Sequence, residues 1–253
     1  IISDNASTDG TEAICREYAV CDSRIRYVRQ SENRGACYNF QFVLDEAKGE
    51  YFMWAAYDDY WEKYFLDDAL HLINSINVGF AFPTFMLRSI YLKISSKTPK
   101  NIFSFIEDTN RDRLILGFAN LHHFSHKCNI VYSLFRTEVI RNVFAIQNIS
   151  NDGLMGMVLL GMTRGVIVEG FHFSKRYKLF WPGFGGAFMN KANRARRKDF
   201  NIIRDETFAA AASLFPELSK PLNEIRVAYE PDRFYSNYQI LNKSSLLGRA
   251  GVQ

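Results

Sequence analysis

Cysteine is scarce in this chain, and what there is carries no metal spacing. Cys15, Cys21, Cys37 and Cys128 include no Cys-x-x-Cys pair, which excludes a zinc-ribbon or zinc-finger arrangement. Cys15 and Cys37 fall on the apolar faces of expected helices, where a reduced thiol packs as a small hydrophobe, and this favours a reducing compartment. A strong charge bias is also missing. The formal net charge is +4, too mild to argue for a nucleic-acid partner. The longest apolar run, Val78 to Leu87, is interrupted by Pro83 and is far shorter than the ~20 residues a membrane-spanning helix needs. There are no internal repeats, no low-complexity segment and no visible signal peptide. The chain opens on Ile1-Ile2, inside a strand pattern and without Met, so a fragment whose first strand is missing is expected.

What remains is a globular composition. The 253 residues are 47% hydrophobic and 15% aromatic, enough to bury a full core in one large domain, or in a domain with an appendage. The most informative stretch runs from Gly49 to Trp61. Its apolar part, Tyr51 to Ala56, fits a strand buried on both faces. It ends in adjacent carboxylates, Asp58 and Asp59, and then Phe65, Leu66, Ala69, Leu70 and Ile73 recur at helical spacing. In an open α/β sheet, such a loop lies at the carboxyl end of a strand, where ligands bind. Two carboxylates there either share a divalent cation, Mg²⁺ or Mn²⁺, or serve as a loop residue and a helix cap.

On either side, the pattern alternates strand and helix. Ile1 to Asn5 ends a strand, and Asp9 with Glu12 forms a capping box for a helix reaching Val20. Ile25 to Val28 is a strand, Asn33-Arg34-Gly35 a turn, and Ala36 to Ala47 a helix closed by Gly49. This rhythm predicts a mostly parallel sheet flanked by helices. Further on, strands are expected over Val78–Arg88, Asn129–Phe135 and Val166–Phe173. Helices are expected over Arg111–His123, Thr137–Phe144 and Leu154–Met162, with a polar loop over Ser95–Asn101. After Tyr177 come a Trp-Pro-Gly loop and a basic, Ala-rich helix from Asn190 to Phe215.

Four landmarks, taken in order, resemble the family 2 glycosyltransferases of GT-A (Rossmann-like) fold. They are Ser3 to Thr11, Asn33 to Asn39, Tyr51 to Trp61 and Asn151-Asp152-Gly153. The third is similar to the subgroup with a Trp-Ala-Ala-x-Asp-Asp segment. The likeness covers about residues 1–176 and implies a catalytic domain over 1–177, while the change of character after Tyr177 marks off a small helical appendage over 178–253. It implies transfer of a sugar, with inversion, from a nucleoside-diphosphate donor, a UDP-sugar first, to a hydroxyl of a saccharide or lipid-linked acceptor. The setting it implies is bacterial surface-polysaccharide synthesis at the cytoplasmic face of the membrane; a peripheral membrane contact is one reading of the basic run after Asn190, and no recognition motif points to nucleic acid.

Residue by residue, the resemblance puts Asp4 against the base and adds Asn5, Asn33, Gly35, Asn39 and Tyr57 to the nucleotide site. Asp58 and Asp59 would hold the cation that draws charge off the departing diphosphate. The family's usual first carboxylate falls at Ala56, so the set is one carboxylate short. Asp152 would be the general base, with Asn151 where a second acid often stands; its competing role is the helix cap. Arg34 either reaches a phosphate or braces its turn, and bracing is the expectation. His122, His123 and His126 include an i,i+4 pair at metal-ligand spacing, but with no acidic or cysteine partner a surface or acceptor-pocket cluster is expected; Trp181 with Gly183–Gly186 is a lid over the sugar or an ordinary loop. The basic run from Lys191 to Lys198 is either a solvated face or a membrane contact. Two rival readings are a nucleotide-sugar-binding module without transfer, and a metal-dependent phosphohydrolase or nucleotidyltransferase.

Overall fold

The computed structural model describes residues 1–89, 95–97, 100–121, 128–146, 152–177 and 202–228. The chain begins with strand β1 (Ile2–Asp4), helix α1 (Thr11–Cys21), strand β2 (Tyr27–Arg29) and helix α2 (Gly35–Glu46). β1 and β2 pair in parallel, Ile2 beside Tyr27 and Asp4 beside Arg29, with α1 as the crossover that parallel strands require. The start of α1 differs from the expected capping box. Asp9 Oδ1 accepts hydrogen bonds from the Thr11 N–H (3.1 Å) and Thr11 Oγ1 (2.6 Å), an Asx turn. Glu12 is drawn away by Arg16 and Arg29.

Gly49 does not close α2. The helix stops at Glu46 and Ala47 turns extended, because Arg141 Nη2 donates to the carbonyls of Leu44 and Ala47. A distant side chain thus satisfies the helix-end carbonyls in place of a left-handed glycine. Cys37 is exposed and Cys15 only half-buried. The first turn of α2 extends past the core, and α1 has no fully buried residue, so neither thiol packs as a core hydrophobe.

The chain continues through β3 (Tyr51–Phe52), β4 (Tyr60–Trp61), α3 (Phe65–Ile76), β5 (Phe80–Ser89) and β6 (Ser95–Lys97). A 3₁₀ stretch (Lys100–Glu107), α4 (Arg111–Ala119), a second 3₁₀ stretch (Cys128–Tyr132), β7 (Leu134–Arg136) and α5 (Thr137–Phe144) follow. The last elements are α6 (Asp152–Met162), β8 (Gly165–Tyr177), α7 over residues 202–214, and α8 (Ser219–Ala228).

The larger sheet has the order β3-β7-β5-β8-β4, with β6 on β5. Among the described residues only β5 and β8 run parallel in it; the other described pairs are antiparallel. The architecture is α/β, but the sheet is mixed instead of mostly parallel. The segment expected to be a strand from Asn129 begins as a 3₁₀ stretch, and β7 then enters antiparallel between β3 and β5. The expected loop after Ser95 also carries structure, since Met86 pairs with Lys97.

The strand expected over Tyr51–Ala56 leaves the ladder after Phe52. Trp54 is the cause. Its indole Nε1 donates to the Phe40 carbonyl at 3.0 Å. Its ring lies 4.7 Å from Phe52, 5.4 Å from Phe144, 5.7 Å from Phe40 and 5.9 Å from Phe135. Burying an indole with its N–H satisfied outweighs the few ladder bonds lost.

Two apolar clusters cover the two faces of this sheet, and the two-residue period of the strands sorts them. Phe80, Phe82 and Phe135 join the larger cluster with Leu44, Trp54, Phe118 and Leu159. Ala81, Leu134, Val166 and Val168 join the smaller one under α3, with Phe65, Ala69 and Ile73. In the larger cluster α6 is the central helix, buried from Gly153 to Leu160. In the C-terminal region α7 adds Phe208 and Ala211 to that same cluster, α8 adds Leu222, and the link between them adds Phe215.

Candidate functional site

At the carboxyl ends of β1 and β2 the chain makes two polar loops, residues 5–10 and 30–34, which meet at the start of α2. Their junction is a set of side-chain amides. Asn5 Nδ2 donates to Asn33 Oδ1 at 2.9 Å and to the Gly35 carbonyl at 3.2 Å. Asn5 Oδ1 accepts from the Arg34 N–H at 3.1 Å, and Asn33 Oδ1 accepts from the Gly35 N–H at 3.0 Å. Deeper in, Asn39 Nδ2 donates to the Ser3 carbonyl at 3.0 Å, while Ser3 Oγ donates to Asn39 Oδ1. Gly35 has φ +84°, a conformation that strains any side-chain-bearing residue. Three of the residues expected at the nucleotide, Asn5, Asn33 and Gly35, therefore lie in one hydrogen-bonded cluster, while Asn39 is tied to Ser3 on β1. The Arg34 guanidinium sits 3.8 Å from the centre of the Tyr38 ring, so Arg34 braces its turn.

Asp4 lies beneath this cluster, with its side chain wholly enclosed at 0% exposure. Its Oδ1 accepts from the Ser7 N–H at 2.8 Å. Its Oδ2 accepts from the Tyr27 hydroxyl at 2.6 Å and from Arg29 Nη1 at 3.0 Å. Burial pushes this carboxyl up, but the Tyr27 and Ser7 hydrogen bonds and the Arg29 charge more than offset it and hold it down at about 2. Tyr27 and Arg29 escaped the sequence reading. Their only signal was a tyrosine and an arginine two apart on β2, facing the same way as Asp4 on its neighbour.

The acidic turn links β3 to β4. The Asp59 N–H donates to the Ala56 carbonyl at 3.3 Å, curling Tyr57 and Asp58 outward. Tyr57 is 96% exposed, and both carboxylate residues are half-buried. The turn is anchored on its far side by Trp61, whose ring lies 4.5 Å from Phe173 and 4.8 Å from Phe65. The Glu62 N–H donates to the His172 carbonyl at 2.8 Å, extending the β4–β8 pairing. Asp152 is the first residue of α6 and half-buried, at the head of a helix otherwise packed into the core. Tyr57, Asp58 and Asp59 thus share one turn, while Asp152 stands on another element.

Among the described residues no three His, Cys, Asp or Glu side chains gather as a metal cage. Asp58 and Asp59 nevertheless suit a magnesium-type ion, which is typically held by one or two carboxylates with substrate phosphates completing its shell. His122, His123, His126, Asn151, the Trp181–Gly186 loop and the Lys191–Lys198 run lie outside the described residues. No helix among the described residues is long and apolar enough to cross a membrane.

Strands that feed polar loops at their carboxyl ends, together with an acidic turn on the larger sheet, make an α/β protein with polar faces where such sheets hold ligands. The chain belongs to glycosyltransferase family 2: the family described as "Glycosyl transferase family 2" matches residues 1–144. TuaG of Bacillus subtilis (strain 168), named for glycosyl transfer in teichuronic acid biosynthesis, is 36% identical over 87 residues, 34% of this chain and 34% of TuaG. The uncharacterized protein Rv1520 of Mycobacterium tuberculosis (strain ATCC 25618 / H37Rv) is 44% identical over 62 residues, 24% of this chain and 18% of that protein. The chain spans about a third or less of these relatives' lengths. Among solved structures, TarS 1–349 of S. aureus in complex with UDP-GlcNAc superposes with a TM-score of 0.58 at 16% identity, over 90% of this chain and 61% of that one. The mannosyltransferase PcManGT of Pyrobaculum calidifontis, in complex with GDP-Man and Mn²⁺, gives 0.51 at 17% identity, over 88% of this chain and 58% of that one. Both likenesses show the shared GT-A fold.

Proposed function

We propose that this chain transfers a sugar from a nucleoside-diphosphate donor to a hydroxyl of a saccharide or lipid-linked acceptor, with inversion at the sugar carbon. The observation that carries the reading is the amide cluster joining Asn5 to Asn33 and Gly35. It fuses two strand-end loops into one polar face, where α/β sheets hold nucleotides, inside the region that matches the family. Residues 1–177 form the catalytic domain in this reading and residues 178–253 the appendage.

Each residue group then has a task. Asn5, Asn33, Gly35 and Asn39 shape the nucleotide face, with Asp4 supporting it from beneath and Tyr57 flanking the ribose. Asp58 and Asp59 hold a divalent cation, Mg²⁺ or Mn²⁺, which when bound supplies Lewis-acid charge stabilisation to the departing diphosphate. Asp152 accepts the proton of the acceptor hydroxyl as its oxygen bonds to the sugar carbon. The bond from that carbon to the diphosphate oxygen breaks, and the nucleoside diphosphate leaves. A carboxylate placed for this transfer contributes roughly 10²–10⁴-fold.

A UDP-sugar is the first donor to test, because TarS was solved with UDP-GlcNAc. A role in surface-polysaccharide assembly is supported by the likeness to TuaG, named for teichuronic acid biosynthesis, and the inner face of the membrane is the setting this reading proposes. Calorimetric titration of UDP with Mn²⁺, then with EDTA, tests the donor site. We expect binding that needs the metal and is lost in Asp58→Ala. Silence toward UDP, GDP and dTDP alike, in the presence of Mn²⁺, would sink the reading.

A further inference from the structure

Asp4 has no exposed surface through which to touch a ligand, so its influence on the nucleotide face passes through what it binds. Its Oδ1 takes the Ser7 N–H at 2.8 Å, closing a tight loop over Asn5 and Ala6. Inside that loop Ala6 sits at φ +61°, in the left-handed region that a residue with a Cβ adopts at an energetic cost. Something must hold it there. Asn5, next to it, is the residue that ties this loop to Asn33, Arg34 and Gly35.

Asp4 is in turn fixed from β2. The Tyr27 hydroxyl and Arg29 Nη1 both bind its Oδ2. Arg29 also reaches Glu12 at 3.3 Å, Glu12 pairs with Arg16 at 2.7 Å, and Arg16 lies 5.3 Å from the Tyr27 ring centre. Two carboxylates and two guanidiniums close this circuit, so its formal charges balance. A staple between β1 and β2 would need only one of these contacts.

The geometry points to Tyr27 and Arg29 as positioning residues for donor binding: through Asp4 they hold the Asn5–Ser7 loop in the strained shape that meets the Asn33–Gly35 turn. This rests on the reading of that face as the nucleotide site. The lock keeps the loop preformed before the donor arrives, so the donor does not pay for ordering it.

The test is UDP titration, with Mn²⁺, into wild type, Tyr27→Phe, Ala6→Gly and the double variant, alongside thermal unfolding of each. Tyr27→Phe keeps the ring and deletes one hydrogen bond to Asp4. It should weaken UDP roughly tenfold, the equivalent of one lost bond to a charged group. The donor KM should rise accordingly with kcat within about twofold, since the ground state and the transition state lose the same binding. Adding Ala6→Gly removes the Cβ that disfavours the loop conformation, so the double variant should recover most of the lost affinity. Unchanged affinity in Tyr27→Phe would overturn the inference. So would a joint fall in affinity and Tm with no recovery in the double variant, which would mark a simple staple. A wild type silent toward every nucleotide would overturn the donor-site reading and this inference with it.

Discussion

The side-chain amide of Asn5 donates to the side-chain oxygen of Asn33 at 2.9 Å, across 28 residues of sequence. The bond joins the loop after the first strand to the turn that launches the second helix. Asn33 Oδ1 holds the Gly35 N–H as well, so one oxygen anchors both sides of the junction. Asn33→Ala should therefore loosen the face at two points and weaken UDP roughly tenfold. Asn33→Asp keeps the acceptor oxygen and should lose much less. Equal losses from both substitutions, read by calorimetry, would show that the acceptor geometry is not what matters.

Asp152 stands half-exposed at the head of a helix whose next eight residues are buried. A carboxylate that serves only to start that helix would lose stability when made neutral, typically about 1 kcal/mol. A general base would lose turnover. Asp152→Asn is expected to cut kcat by roughly 10²–10⁴, with UDP affinity kept and only a small Tm change. Retained kcat with a lowered Tm would assign the residue to the helix alone.

The placing of Asp152 depends on how closely α6 can approach α4. Gly156 is the contact: a Cβ there would meet Phe118 Cζ at 2.2 Å, and Phe118 is itself almost wholly buried. Gly156→Ala must push the helices apart or force the ring off its rotamer, at about 1–3 kcal/mol. That is several degrees of Tm for a chain of this size. Thermal unfolding measures it, and an unchanged Tm would mean that this interface is loose enough to absorb a methyl group.

How much of this was legible beforehand follows a physical line. Thr137–Phe144 is amphipathic and the helix from Asp152 is apolar nearly all round behind an Asn-Asp-Gly start, both local signals, and both elements were expected nearly to the residue. The landmark loops around Asn5 and Asn33 were legible through short motifs whose glycine and amides have local uses. The end of the Tyr51 strand was not legible, because it depends on Trp54 finding the carbonyl of Phe40. Neither was the end of α2, which is satisfied by Arg141, 97 and 94 residues away from the carbonyls it binds. The parallel pairing of β5 with β8 and the insertion of β7 between β3 and β5 are likewise long-range choices. Tyr27 and Arg29 were missed for the same reason: the carboxylate they hold lies on another strand.

That carboxylate also predicts how the fold responds to acid. The Asp4 carboxyl is held at about 2, below its ordinary 3.8. A group whose folded pKa is depressed stabilises the native state above its unfolded value and stops doing so as pH falls through the folded one. The shift of nearly two units corresponds to about 2 kcal/mol, with the full amount present above roughly pH 5. The side chain has no exposed surface, so solvent screening takes little from it. Asp4→Asn should therefore be less stable than wild type by about 2 kcal/mol at pH 7. By linkage, the gap should shrink to about half near pH 3 and close toward pH 1. Urea unfolding of the two proteins across that range isolates Asp4, since every other carboxylate is common to both. A gap that stays constant from pH 7 to pH 3 would mean that Asp4 contributes through packing, and that the Tyr27 and Arg29 contacts do not favour its ionised form.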